Sequence, residues 1–249
     1  MALISSTVIL FLILTPGISY TVMFITSPYS IKLSKRKFLE VIVWSTIPSI
    51  LLHFFGILIA ENLFSQDIQL DVVGTLLSTS LKYEEIKKTY AIVEDSLGGI
   101  LFYHIILVGF GLLLGYLIRT AIRRFKLDRR YRFFRFSNKW YYIFSGECLD
   151  FPDVPDSYEE IGNKAVNILC DVGGKQYIYS GWYSDYYLDA EGKLESIQLK
   201  DPVRRSIDKD NKEKDRYYLI PSKYFLIPSK SIININVLYI KFKESTKPG

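Results

Sequence analysis

Residues 97–132 read LGGILFYHIILVGFGLLLGYLIRTAIRRFKLDRRYR, an apolar run that passes without a break into a cationic one. The first 22 of these residues carry no formal charge. At about 1.5 Å per residue they reach across a hydrocarbon core of about 30 Å. Lysine and arginine clustered directly after a span stay on the cytoplasmic side. The stretch therefore predicts a membrane helix over 97–119 and fixes its inner end. It also divides the chain, because apolar residues crowd into the first 122 positions and tyrosines into the rest.

Upstream, residues 3–26 form a first apolar run, broken by Pro16 and Gly17 and followed by Lys32, Lys35, Arg36 and Lys37. Charge behind the run places that end inside, whereas a cleaved signal peptide carries its charge in front. The Pro-Gly pair predicts a kink whose freed backbone groups are met by neighbouring helices. Residues 38–60 predict a second span running outward, and 61–96 an acidic outer loop. Within that loop Leu81, Ile86, Tyr90, Val93 and Leu97 keep a helical spacing that predicts a short amphipathic helix. The expectation is a three-helix transmembrane domain over 1–122 in the cell inner membrane, with the N-terminus outside and the C-terminus cytoplasmic.

The two histidines of the chain, His53 and His104, both fall in spans. Each lies roughly 6 Å to the outer side of its span's midpoint, so antiparallel helices bring them to matching depth. Two readings stay open: a proton- or ion-sensitive pair, or two neutral imidazoles hydrogen-bonding between helices. Gly56 on the second span, and Gly111 and Gly115 on the third, predict close helix packing.

Residues 123–139 form a basic aromatic collar in which Arg123, Arg124, Lys126, Arg129, Arg130 and Arg132 alternate with rings. Such interleaving suits single-stranded nucleic acid, and it equally suits anionic lipid at the inner leaflet. Its position directly after a span assigns it to lipid, and no nucleic-acid partner is expected.

From 140 to 249 the sequence is rich in β-branched and aromatic residues, beginning at 140–144. It is cut by turn signals at Gly173-Gly174, Ala190-Glu191-Gly192, Pro221-Ser222 and Pro228-Ser229. Five to seven short strands in this length predict a small all-β barrel, with Gly181 at a sharp bend inside a long strand. The fold class is thus α+β, three membrane helices followed by a cytoplasmic barrel. Residues 201–216 read as a charged, solvated insertion, in which Arg204 and Arg205 are candidate contacts for an acidic ligand.

The net charge of +5 is explained first by the clusters flanking the spans. Both cysteines, Cys148 and Cys170, lie in the predicted cytoplasmic part without metal-ligand spacing. No phosphate loop or catalytic motif is present, and the cytoplasmic half has no histidine. Neither an enzyme, a cofactor nor a metal is expected.

Val166, Ile168, Asp171, Gly173, Gly174, Tyr177, Gly181, Leu194, Ile197 and Leu199 follow the pattern of an Sm-like or SH3-like barrel, which this region resembles. Asp185-Tyr186-Tyr187-Leu188-Asp189 stands where Sm proteins carry their base-binding turn, and Pro228-Ser229 where they carry Arg-Gly. The resemblance thus implies the barrel and a tendency to assemble, but not RNA binding. The whole arrangement looks like a poorly characterised prokaryotic group of small membrane proteins ending in such a barrel. Two functions fit. One is a membrane-anchored, homo-oligomeric recognition or adaptor protein whose barrel receives a protein or small ligand. The other is a ligand- or partner-gated membrane-permeabilising effector or channel, similar to effectors of bacterial antiviral defence.

Overall fold

The structure is a computed structural model, and it describes residues 2–30, 38–64, 70–77, 83–154, 158, 161–189, 191–207 and 217–241. The chain divides into two compact units: Met1–Ser27 with Arg36–Phe125, and Pro28–Lys35 with Lys126–Gly249.

The first unit contains helices α1 (Ala2–Ile25), α2 (Phe38–Phe64), α3 (Leu70–Leu77), α4 (Tyr83–Asp95) and α5 (Leu97–Arg124). Three segments are long and apolar enough to cross a membrane: Thr7–Ile25, Leu39–Asn62 and Leu97–Arg124. Their outer surfaces are apolar, with Val43, Ile47, Phe102 and Ile105 each 68% exposed. Water disfavours so much exposed hydrocarbon, whereas lipid accommodates it. In the 61–96 loop α4 covers most of the predicted amphipathic helix, and Leu81 falls outside the described residues. The helix α3 is an addition to that expectation.

The second unit begins with α6 (Leu127–Arg130), a single 3-10 turn at Arg132–Phe134, and α7 (Lys139–Ser145). The helix α7 corrects the expectation of β-rich structure from residue 140. Asn138 caps it by accepting from Tyr141 N at 3.1 Å, and Gly146 ends it in the left-handed region at φ +88°. Between those signals Trp140, Ile143 and Phe144 recur at helical spacing and pack on the sheet. The aromatic content that suggests a strand instead supplies one face of a helix.

Six strands follow: β1 (Ile161–Val172), β2 (Lys175–Leu188), β3 (Leu194–Ser206), β4 (Tyr218–Leu219), β5 (Tyr224–Pro228) and β6 (Ile232–Lys241). They form one antiparallel sheet in the order β4-β3-β2-β1-β6, with β5 also pairing β3. The expected insertion at 201–216 starts later than its charge suggests, since β3 continues through Asp201 and Pro202 to Ser206. Inward residues Val166, Ile168 and Cys170 of β1 alternate along the strand and join Tyr179, Ile197, Leu199, Ile227 and Phe144 in the core.

Among the described residues the strand pairings leave the sheet open, so a closed barrel is not part of the observed structure. The sheet is nevertheless curled. In a flat sheet β5 and β6 would be four strand spacings apart, about 19 Å. Only Ser229–Ser231 joins them, a link from Pro228 to Ile232 that spans at most about 14 Å.

Candidate functional site

Within the first unit α1 is the helix against which both α2 and α5 pack. Pro16, fully buried, has no N–H to offer the preceding turn. Side chains take up that turn's carbonyls: Thr15 Oγ1 donates to Leu12 O at 2.5 Å, and Ser49 Oγ and His53 Nε2 both donate to Ile13 O, the histidine at 3.1 Å. A carbonyl only accepts, so His53 is protonated on Nε2, and its Nδ1 lies 3.3 Å from Tyr103 Oη. Thr15, having donated its proton, accepts from His104 Nε2 at 2.7 Å. Each histidine is thus engaged with α1, and no hydrogen bond joins the two rings.

Glycines set the approach of the helices. A Cβ at Gly17 would meet Ser49 Cβ at 2.7 Å, one at Gly111 would meet Pro16 O at 2.5 Å, and one at Gly115 would strike Tyr20 O. Gly56 faces Leu107 and Tyr103 instead. At the end of the seam Arg119 donates to Met23 O at 2.7 Å and to Thr26 O, carbonyls at the C-terminal end of α1 that have few intrahelical donors. The sequence reading identified the glycines of α5 but took Pro16-Gly17 only as a kink, not as the surface they meet.

The second unit sorts the collar. Arg124, Lys126, Arg130 and Arg132 are exposed and Arg123 is half-buried. Arg129, expected at the inner leaflet, is only 8% exposed and tied to Glu147 Oε1 at 3.0 Å and Asp150 Oδ2 at 2.5 Å. Tyr158 lies under its guanidinium at 5.1 Å, and Lys126 Nζ is 3.8 Å from Asp150. Burial alone pushes the Asp150 carboxyl upward. The Arg129 hydrogen bond, the Tyr158 N–H and the charges of Arg129 and Lys126 outweigh it and hold the carboxyl below its usual range. Asp128, fully buried, accepts from Tyr142 Oη at 2.9 Å.

Asn138 is a second junction. Its backbone N–H donates to Tyr29 O at 3.1 Å, and its Nδ2 to Pro28 O at 3.0 Å and Tyr186 Oη at 2.8 Å. The Tyr29 ring packs edge-on against Tyr141 at 4.9 Å. The linker after α1, placed by sequence in the transmembrane domain, therefore belongs at Pro28–Ser30 to the second unit.

Sheet irregularities open a hollow in the second unit. Register shifts interrupt β1–β6 pairing between Ile161 and Asn163, and β2–β3 pairing between Ser180 and Trp182. Opposite the second shift Asp201 adopts φ +49°. A Cβ at Gly181 would lie 3.0 Å from Lys200 O, so a side chain there would crowd the bulge. Around these bulges Gly162, Asn163, Lys164, Trp182, Tyr183, Lys200 and Asp201 line an open hollow of about 370 Å³. Lys164 is half-buried, with Nζ 3.3 Å from Ser145 O and 5.6 Å from the Tyr183 ring centroid. Burial pushes its ammonium toward neutrality, partly opposed by Glu147. Lys200, Trp182 and Asp201 are exposed. The lining residues thus include two lysines and one aspartate, an excess of positive charge that suits an anion or acidic side chain.

Arg204 and Arg205 lie elsewhere on β3. The Arg204 guanidinium is 5.0 Å from the ring centroids of both Tyr177 and Tyr218, and Arg205 is 5.9 Å from that of Tyr217. The lysines of the hollow escaped the sequence reading, although Gly162 and Gly181 inside strands were the available signal. Among the described residues no three His, Cys, Asp or Glu groups come together to hold a metal ion. No family model, curated protein or solved structure matches this chain.

Proposed function

We propose that the protein is a membrane-anchored recognition module whose C-terminal unit receives an anionic small ligand or an acidic protein segment at the inner membrane face. The observation that carries this reading is the hollow whose lining residues include Lys164, Lys200 and the exposed Trp182. The finer assignment of that unit as an Sm-like or SH3-like barrel is part of the same proposal. It is supported by the curl that the short Ser229–Ser231 link imposes, and it brings with it assembly into homo-oligomers, which mass measurement in detergent tests.

Binding is measured on the full chain in detergent, following tryptophan emission during titration with inorganic phosphate, citrate and a glutamate-rich peptide. At least one probe is expected to saturate. Lys200→Glu removes an exposed cation and inserts a repelling charge, and is expected to weaken that binding tenfold or more, roughly the loss of one charge-assisted contact. Lys164→Gln is expected to act in the same direction. Absence of saturation with all three probes, or binding indifferent to Lys200→Glu, rules the reading out.

A second reading, ligand-gated leakage of the membrane, draws on one contact series. Tyr183 at the hollow stacks on Phe144 at 4.9 Å, Phe144 meets Tyr186 at 5.2 Å, and Tyr186 bonds Asn138, which holds Pro28 shortly after the end of α1. Dye release from vesicles holding the full chain, triggered by the probe that binds and lost in Lys200→Glu, is the result this reading expects.

A further inference from the structure

The collar's surface chemistry carries an inference independent of the hollow. In the 3-10 turn Arg132–Phe134, Phe133 is 90% exposed, with Phe134 against it at 5.3 Å and Tyr131 against Phe134 at 6.3 Å. A phenyl ring so completely uncovered is costly in water and at home at the boundary between headgroups and acyl chains. The exposed charges next to it in sequence have one sign. Arg130 and Arg132 are exposed, and Arg130 lies 5.5 Å from the Tyr131 ring centroid. Across residues 123–135 the single carboxylate is Asp128, and it is fully buried against Tyr142. The fold has thus withdrawn this segment's one carboxylate from the surface. Phe133 follows Arg124, the last residue of α5, by nine residues, at most about 30 Å of extended chain.

We propose that this turn is a membrane-inserting element: Phe133 enters the interface of the inner leaflet while Arg130 and Arg132 bind the headgroups of anionic lipid. The expected contact of the whole collar thereby narrows to a short turn, with Arg129 excluded and the aromatic ring, rather than the helix, as the anchor.

The test uses the full chain carrying Phe133→Trp, reconstituted in vesicles with acyl-brominated phosphatidylglycerol or acyl-brominated phosphatidylcholine as quencher, with the parent chain as baseline. The added tryptophan is expected to emit at a blue-shifted wavelength and to be quenched more strongly by brominated phosphatidylglycerol. Arg130→Ala with Arg132→Ala is expected to lower that preference by about fivefold for each arginine, the worth of one basic residue near an anionic surface. Both sites are exposed, and circular dichroism together with emission of the parent tryptophans reports that the variants fold. A water-like, unquenched emission overturns the insertion. Equal quenching by the two lipids, or a preference unchanged in the double variant, overturns the anionic partner. Neither outcome bears on ligand binding at the hollow.

Discussion

Leucine at Gly111 or Gly115 is expected to dismantle the packing of α5 on α1. A Cβ at either position points into the backbone of α1, at Pro16 O or Tyr20 O, and the rest of the side chain has no space to follow. The helices must separate, which also breaks the Ser19 Oγ contact to Val108 O, now 3.0 Å. Overpacking of this kind costs about 1–3 kcal/mol and at times more, and here the upper end applies because backbone rather than a mobile side chain is struck. The control is Gly109→Leu, on the same helix, where an added Cβ meets nothing within 4 Å. It is expected to stay within about 0.5 kcal/mol of the parent. Thermal unfolding of the purified chain in detergent, followed by helical circular dichroism, checks the pair. Equal destabilisation by Gly109→Leu and Gly115→Leu would contradict the packing described above.

Removal of the Arg129 guanidinium has the second large effect. Arg129→Ala takes from Glu147, 3% exposed, the cation bound to it at 3.0 Å, and leaves Asp150 only the more distant Lys126. Breaking one side of a buried ion pair costs about 3–5 kcal/mol, most of it the desolvation of the charge left behind. Replacing all three partners together, as Arg129→Met with Glu147→Gln and Asp150→Asn, is expected to recover much of that loss. The acid dependence changes as well. The Asp150 pKa is depressed in the folded chain, so its contribution is present above the ordinary carboxylate pKa of about 3.9 and is lost as pH falls through the folded value. Without Arg129 only the Tyr158 N–H and the Lys126 charge remain to oppose burial, so the Asp150 carboxyl titrates higher than in the parent. Acid destabilisation of the variant is then expected to begin at a higher pH than in the parent. Urea unfolding followed by emission of Trp140 and Trp182 across that pH range measures both effects, and an unchanged acid limb in Arg129→Ala would count against the ion-pair account.

The membrane half was legible because length and charge order are one-dimensional signals. The runs at 3–26, 38–60 and 97–119 need no partner to be recognised. The centrality of α1 was not legible, because Pro16 and Gly17 acquire their role from Ser45, Ser49 and Gly111, which lie far away in sequence. Arg129 illustrates the same limit. In sequence it is one of six collar cations, and only the fold of residues 147–150 brings carboxylates to it. In the β half the strands from 165 onward follow turn signals and β-branched content. Residues 140–144 misled because propensity favoured a strand while Asn138 and Gly146 punctuated a helix. The hollow depends on register shifts in two separate strand pairings, and a register is a relation between strands that composition does not carry.

The dock of Pro28–Ser30 on Asn138 has a consequence for how the protein is made. Asn138 is synthesised 110 residues after Pro28, when α2 and α5 have already been translated. Pro28 must therefore wait for Asn138 to be made before the contact between them can form, and the strands of the second unit follow later still. That unit is therefore discontinuous in the message as well as in the chain. A gene fragment starting at the codon for Lys126 would encode it without Tyr29, and its product would leave the faces of Phe136 and Tyr141 that Tyr29 covers open to water.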